Sequence, residues 1–264
     1  MTSPAPASPT NTSRRTEIVE ILRTENITKS YDGRIIIRDI NIHLEKGELV
    51  SLLGVSGSGK TTLFQIISGL TMPDSGTVYL DGTDITGEPG HVSYMLQKDL
   101  LLAHKKVIDN VTLPLIIRGM KKQEARKQAE PFFSQFGLEG TQQMYPSRLS
   151  GGMRQRAALL RTYLGSHGVA LLDEPFSALD MITKEQMHSW YQDVMSRINL
   201  STILITHDID EAILLSNRIY LLTGKPGEIR QEIRIERPRS ERTDFNLTPE
   251  FLRYKQTIKN ALSR

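Results

Sequence analysis

Residues 54 to 62, Gly54-Val55-Ser56-Gly57-Ser58-Gly59-Lys60-Thr61-Thr62, constrain the fold more tightly than any other stretch of this chain. They fit the phosphate-binding pattern G-x-x-x-x-G-K-[ST]. Before them, Glu48-Leu49-Val50-Ser51-Leu52-Leu53 reads as a buried β-strand, and after them Thr62-Leu63-Phe64-Gln65-Ile66-Ile67-Ser68 reads as a helix. Strand, glycine loop and helix is the context in which the pattern has a mechanism. The glycines let backbone N–H groups converge on an anion, and the helix N-terminus adds partial positive charge. On this reading Lys60 reaches the β- and γ-phosphates of a nucleotide, and the Thr61 hydroxyl ligates Mg²⁺.

Composition narrows the class. The 264 residues, 38% of them hydrophobic, suffice for a full core in one large α/β domain. With 33 basic and 30 acidic residues the net charge is only +3, and the basic residues are scattered, so no nucleic-acid partner is expected. The absence of cysteine excludes disulfides, thiolate metal sites and thiol catalysis. No apolar run approaches the roughly 18 residues that span a bilayer. Met1 to Thr16 carries Pro4, Pro6 and Pro9 among Ser and Thr with no apolar run, which reads as a disordered leader.

Taken in order, Glu17 to Asn26 is expected to start an edge strand, Asp32-Gly33 a hairpin turn, and Arg34 to Leu44 the antiparallel strands that follow. Tyr31, beside that turn, is either a half-buried strand aromatic or a flat face for a base. Strands are expected again over Thr77 to Gly82 and His91 to Leu96, the latter ending at Gln97. A glutamine there is either solvated or able to ligate Mg²⁺ and hold an attacking water. From Lys98 to Gly165 the pattern turns helical. Val107, Asn110, Val111 and Leu115 share one face, and Lys122 to Phe136 is a charged amphipathic segment with a kink expected at Pro131. The run Asp99-Leu100-Leu101-Leu102 reads equally as core or as a docking surface.

Ser150 is a good N-cap for a helix running to Leu164, yet Gly151 and Gly152 occupy its first turn. Glycine there costs about 1 kcal/mol against alanine, a cost that makes sense if the backbone must lie against something flat and anionic. Val169-Ala170-Leu171-Leu172 is a buried parallel strand by pattern, and it ends in Asp173 and Glu174. Acids at the carboxyl end of a central strand lie where doubly wound sheets bind ligands. Asp173 would hold the Mg²⁺ shell, and Glu174 would orient and deprotonate the attacking water. A second buried strand, Thr202 to Thr206, delivers His207 to the same edge as a γ-phosphate contact. Asp208 to Glu211 beyond it reads as a capping box. His43, His91, His104, His167 and His188 lack such a context and read as structural. Arg218 to Leu222, a Pro226-Gly227 turn, an alternating strand Ile229 to Ile235 and a helix capped at Thr248-Pro249 complete the chain.

This order of motifs resembles the nucleotide-binding subunit of an ATP-binding cassette (ABC) transporter. The likeness is carried by Gly54 to Thr61, Gln97, Leu149-Ser150-Gly151-Gly152, Asp173-Glu174, Asp180 and His207, and it covers residues 22 to 225. It implies an α/β fold: a phosphate-loop NTPase core with an antiparallel β subdomain and an inserted α-helical subdomain. One ABC domain would occupy 17–264, with 17–97 and 169–225 as the nucleotide-binding core. Residues 98–168 would form the helical subdomain, and 226–264 a C-terminal strand and helix. The resemblance also implies ATP and Mg²⁺ as ligands, Tyr31 stacked on adenine, and Asp180 beside the nucleotide. A head-to-tail homodimer would sandwich two ATP molecules, each between Gly54 to Thr62 of one subunit and Ser150, Gly151 and Gly152 of the other.

Two integral membrane permease subunits would ride on the surface around Gln97 to Leu115, with an extracellular solute-binding protein reached through them. The chain would then sit peripherally on the cytoplasmic face of the membrane. Gln97-Lys98-Asp99-Leu100-Leu101-Leu102 and Gly224-Lys225-Pro226-Gly227 are similar to the nitrate, sulfonate, taurine and thiamine-precursor importers, although Ala103-His104 stands where those relatives commonly show Pro-Trp. The alternative within the same fold is a non-transport ATPase of translation, DNA repair or iron–sulfur assembly. The single cassette, without cysteine or a long insertion, argues against it.

Overall fold

The computed structural model describes residues 19–198 and 200–263. The expected leader, Met1 to Thr16, lies outside these residues. Ten strands and eight helices are described, in two sheets.

The first sheet contains β1 (Glu20–Tyr31), β2 (Arg34–Glu45), β4 (Ser75–Leu80) and β5 (Thr83–Asp84) in the order β2-β1-β4-β5, all antiparallel. Here β1 is an internal strand, not the expected edge strand, and it runs past Asn26 to Tyr31. Asn26 is left-handed (φ 50°), and the pairing register with both neighbours shifts around it, so an irregularity that looks like a strand end is absorbed inside the strand. Asn41 secures the bend: its side chain accepts from the Asn26 N–H at 2.9 Å.

The second sheet joins β3 (Leu49–Leu53), β6 (Ser93–Met95), β7 (Val169–Asp173), β8 (Ser201–Thr206), β9 (Arg218–Thr223) and β10 (Glu228–Arg234) in the order β10-β9-β3-β8-β7-β6. Only β10 is antiparallel to its neighbour. Every residue of β3, β7 and β8 is buried, as their unbroken apolar runs require of parallel strands covered on both faces. One face packs on α1 (Lys60–Ile67) and the antiparallel sheet through Leu63, Phe64, Ile66 and Ile67. Each such side chain contributes about 1.5–3 kcal/mol when fully buried.

The other face meets the helices that follow β6. The shared apolar face of Val107 to Leu115 is real, but it belongs to two short helices, α2 (Val107–Val111) and α3 (Leu113–Ile117). Pro114, in the first turn of α3, has no N–H with which to continue the ladder of α2. α4 (Lys122–Gln135) runs through Pro131 and buries Ala125, Ala129 and Phe133. α5 (Gly151–Gly165) starts at Ser150, whose hydroxyl accepts from Met153 N at 3.2 Å. Asp99 to Leu102 is core only in part. Leu100 is exposed with φ 45°, Leu101 packs on the core, and Leu102 is bonded through its backbone to buried Asn110.

α6 (Met181–Arg197) is capped by Asp180, and α7 (Ile209–Leu215) by Asp208. The expected capping box is only half formed. Asp208 accepts from Asp210 N and Glu211 N, but Glu211 does not reach back, and the Asp208 N–H goes to Thr206 Oγ1 instead. The Glu211 carboxylate is buried beside Lys184 and His188, at 3.2 and 3.3 Å, a stronger demand than a cap. α8 (Pro249–Leu262) seats Phe251 and Ile258 against α7 and Leu53. Among the described residues no helix is long and apolar enough to cross a membrane.

Candidate functional site

The carboxyl ends of β3, β7 and β8 lie side by side in the parallel sheet, so Leu53, Asp173 and Thr206 reach one edge together. From Leu53 the chain enters the glycine loop and turns into α1 at Lys60. Gly59, the cap of α1, is left-handed (φ 93°), and a Cβ there would overlap Ile37 Cγ2. No other residue fits. A second glycine supports the loop from outside: a Cβ at Gly227 would overlap the Ser58 carbonyl, and the Gly227 N–H donates to Ile36 O at 2.8 Å. The turn after β9 thus braces the loop against β2.

Lys60 is buried, and its Nζ donates to Gly54 O and Val55 O at 2.8 and 2.9 Å. Burial lowers its pKa from the ordinary lysine value, opposed by the nearby Glu174 and Asp173 carboxylates. Asp173, also buried, takes the Tyr94 hydroxyl on Oδ2 at 3.1 Å and lies 3.5 Å from Thr61 Oγ1. Burial raises the Asp173 carboxyl, aided by Glu174 and opposed by Tyr94, Thr61 and Lys60. The Tyr94 phenol is pushed well above its usual range, by burial first and then by Asp173.

Glu174 occupies a left-handed backbone conformation (φ 46°), a strain of about 1–3 kcal/mol that persists where surrounding structure over-determines it. Its N–H donates to Ile205 O at 3.0 Å, which ties it to β8. Its carboxylate lies between two groups: Gln97 Nε2 donates to Oε2 at 3.3 Å, and His207 Nδ1 stands 3.2 Å from Oε1. Gln97 Nε2 also reaches Ser177 Oγ at 3.3 Å, which leaves its carbonyl oxygen available to a cation.

Two cavities meet at these residues. The larger, about 870 Å³, is lined by the loop from Gly54 to Thr62 (all but Ser58), by Gln97, Asp173, Glu174 and His207, and by Ile36 and Leu262. Ser58 lies beneath, fully buried. A space of this size holds a nucleotide-sized ligand. The smaller, about 710 Å³, shares Gln97, Glu174 and His207 and opens toward Asp99, Leu100 and Gln155. Glu174 therefore stands at the join between the glycine-loop cleft and the start of the helical region.

Other expected residues lie elsewhere. Tyr31 is exposed at the end of β1, with Lys29 Nζ 5.4 Å from its ring, and it is not among the residues lining the cleft. Ser150, Gly151 and Gly152 start α5 outside the cleft, and the Asp180 carboxylate caps α6 through Thr183 N and Oγ1. Tyr94, Ile36 and Leu262 join the site without a local sequence marker for it. Tyr94 is marked indirectly, because its strand leads to Gln97 and pairs with the one bearing Asp173. Leu262 is not, since only the packing of α8 brings it to the loop.

A family model described as ABC transporter matches residues 37–177. The formylaminopyrimidine import ATP-binding protein ThiZ of Halalkalibacterium halodurans is 43% identical over 210 residues, which is 79% of this chain and 82% of that protein. The nitrate import ATP-binding protein NrtD of Synechocystis sp. is 39% identical over 234 residues, 86% of this chain and 88% of that protein. Among solved structures, a dimeric post-hydrolysis state of the ATP-binding cassette MJ0796 bound to ADP and Pi aligns with a TM-score of 0.70 at 29% identity, covering 83% of this chain and 100% of that one. With its phosphate loop, its paired acids and the extent of these matches, the chain belongs to the ABC transporter family.

Proposed function

We infer that this chain is the ATP-binding, ATP-hydrolysing subunit of an ABC importer. The observation that carries the reading is the placement of Glu174 between Gln97 and His207, at the mouth of a cleft floored by the phosphate loop. Glu174 is the general base: it holds the attacking water and accepts its proton as the bond to the γ-phosphate breaks. His207 contacts the γ-phosphate, and Lys60 with the loop N–H groups holds the triphosphate. Thr61, Asp173 and Gln97 present a hydroxyl, a carboxylate and an amide carbonyl, an all-oxygen set that suits Mg²⁺. When bound, Mg²⁺ neutralises phosphate charge.

The second half of the site comes from a second copy. Beyond its chain neighbours and the backbone of its own helix turn, no described atom lies nearer than 3.7 Å to a Cβ built on Gly151, so packing within one protomer does not require glycine there. A partner's triphosphate does. Ser150, Gly151 and Gly152 of one copy close over the ATP held by Gly54 to Thr62 of the other, with Asp180 at the seam and Tyr31 against adenine. ATP joins the dimer and hydrolysis releases it, a nucleotide-driven cycle of closing and opening. Two permease subunits on the surface around Gln97 to Leu115 convert that motion into transport, fed by a solute-binding protein, with the chain peripheral at the cytoplasmic face.

The cargo belongs to the class of small organic or anionic solutes that includes nitrate, sulfonates, taurine and thiamine precursors. The import names of the relatives favour this over a non-transport ATPase. Purification of the Glu174→Gln chain with ATP tests the reading. A nucleotide-dependent dimer that copurifies with a polytopic membrane protein is expected. A chain that stays monomeric with saturating ATP, or that captures ribosomes or DNA instead, would sink it.

A further inference from the structure

We propose that Tyr94 is a positioning residue that sets the cation affinity of the nucleotide site by holding the Asp173 carboxylate in place. The inference rests on the ATPase reading above and adds to it a residue on neither the phosphate loop nor the acidic pair.

Two hydroxyls address Asp173, and both meet the same oxygen. Tyr94 Oη donates to Oδ2 at 3.1 Å, whereas Thr61 Oγ1 is only at the limit of a hydrogen bond, 3.5 Å. The Thr61 hydroxyl is also the one the cation would claim. Tyr94 is therefore the bond that persists when the site is loaded. Asp173 lines the cleft, and with Oδ2 tied and no hydrogen bond to Oδ1 among the described residues, the carboxylate is held through one oxygen while the other stays unpaired.

The phenol is itself held. Tyr94 lies opposite Leu171 in the parallel pair β6–β7, so its side chain starts beside the strand that ends in Asp173. Its ring meets Phe64 edge to face, with centroids 5.8 Å apart at 84°. Phe64 is fully buried on α1, the helix that begins at Lys60. The hydroxyl cannot leave Asp173 without breaking this packing. Three residues beyond Tyr94, the same segment delivers Gln97 to Glu174. One short strand thus orients both the cation carboxylate and the amide next to the base. Partners that orient a metal-holding group are typically worth about 10- to 100-fold in metal affinity or activity.

The test is Tyr94→Phe in the non-hydrolysing Glu174→Gln background, with ATP binding titrated against free Mg²⁺ and again in EDTA. The ring stays packed on Phe64, so the variant should fold, and circular dichroism checks this. Tyr94→Leu, which also lacks the hydroxyl, gives a second route. The expected result is a rise of about tenfold in the Mg²⁺ midpoint with metal-free ATP affinity unchanged. An unchanged midpoint, or an equal loss of affinity in EDTA, would overturn the proposal, the latter because a merely structural role weakens binding with or without metal. A parent that shows no Mg²⁺-dependent ATP binding would overturn the ATPase reading itself, which separates the two failures.

Discussion

His207 Nδ1 stands 3.2 Å from Glu174 Oε1, and it does so from a different strand of the same sheet. The pair leaves Glu174 one oxygen toward His207 and one toward Gln97, and in the proposed mechanism a water near the γ-phosphate would meet a base that is already aimed. Glu174→Gln keeps the shape and removes the basicity. ATP turnover should fall by about 10²- to 10⁴-fold, or roughly 3–5 kcal/mol of barrier, while ATP binding is retained. Steady-state phosphate release measures it, and an unchanged rate would remove Glu174 from the role of base.

In the proposed mechanism Lys60 acts on binding rather than on the proton transfer. Its ammonium spans the Gly54 and Val55 carbonyls and is buried in the loop. Lys60→Ala removes a charge-assisted hydrogen bond of about 1.5–3 kcal/mol, so the dissociation constant for ATP should rise about 10- to 100-fold. Titration calorimetry reads this directly. A normal affinity would mean that the loop N–H groups hold the triphosphate unaided.

At the opposite end of the sheet Arg218 is 1% exposed and pairs with Glu48 at 2.7 Å, while also bonding the His43 carbonyl and the Tyr220 hydroxyl. The cluster bolts β2 of the antiparallel sheet to β9 of the parallel one. Arg218→Ala leaves Glu48 buried without its partner and should cost about 3–5 kcal/mol. Urea unfolding would show it as a lower midpoint. A loss below about 1 kcal/mol would mean that water or Lys46 replaces the guanidinium.

Much of this architecture was legible in the chain because its markers are local. The phosphate loop, Asp173, Glu174 and His207 each follow an apolar run whose end is plain, and a parallel sheet places such ends on one edge. What escaped was long-range. Gly227 reads as an ordinary turn residue, and only the fold sets it against Ser58. Glu211 fits a capping box by spacing, but Lys184 and His188 on another helix claim it. Asn26 looks like a strand end because a left-handed residue inside a strand needs a partner, Asn41, that no local pattern reveals.

Within the helical region, Asp109 on α2 takes a bidentate guanidinium from Arg126 of α4, Nε to Oδ1 and Nη2 to Oδ2, each at 2.9 Å, with Lys122 at 3.2 Å. Partial burial raises its pKa, but the bonds to Arg126 and Lys122 outweigh this and hold it below the ordinary carboxylate value of 3.8. A depressed folded pKa adds stability that is present above the unfolded value and is lost as pH falls through the folded one. Asp109→Asn should therefore be less stable than the parent at neutral pH, and the gap should close as the pH falls through the ordinary carboxylate range and below it. Thermal melts across pH would check this. A gap independent of pH would assign the effect to packing instead.

The last prediction separates folding from function at a single atom. Gly151 opens α5, where glycine costs up to about 1 kcal/mol against alanine, and beyond its own helix turn the nearest atoms to an added Cβ are Leu179 Cδ2 at 3.7 Å and the Arg154 guanidinium at 4.0 Å. Those are ordinary contacts. Gly151→Ala should thus leave the isolated protomer as stable as the parent or more so, by up to about 1 kcal/mol, with ATP affinity for the phosphate loop unchanged. If a second copy must lay this backbone against a triphosphate, the methyl stands between them, and ATP-dependent dimerisation and turnover should both fall by at least about tenfold, the equivalent of 1.4 kcal/mol. Gel filtration with ATP, alongside a thermal melt, separates the two effects. A variant that melts higher and still dimerises and hydrolyses normally would leave the glycine without a reason in either protomer, and the shared site would have to be sought on another face.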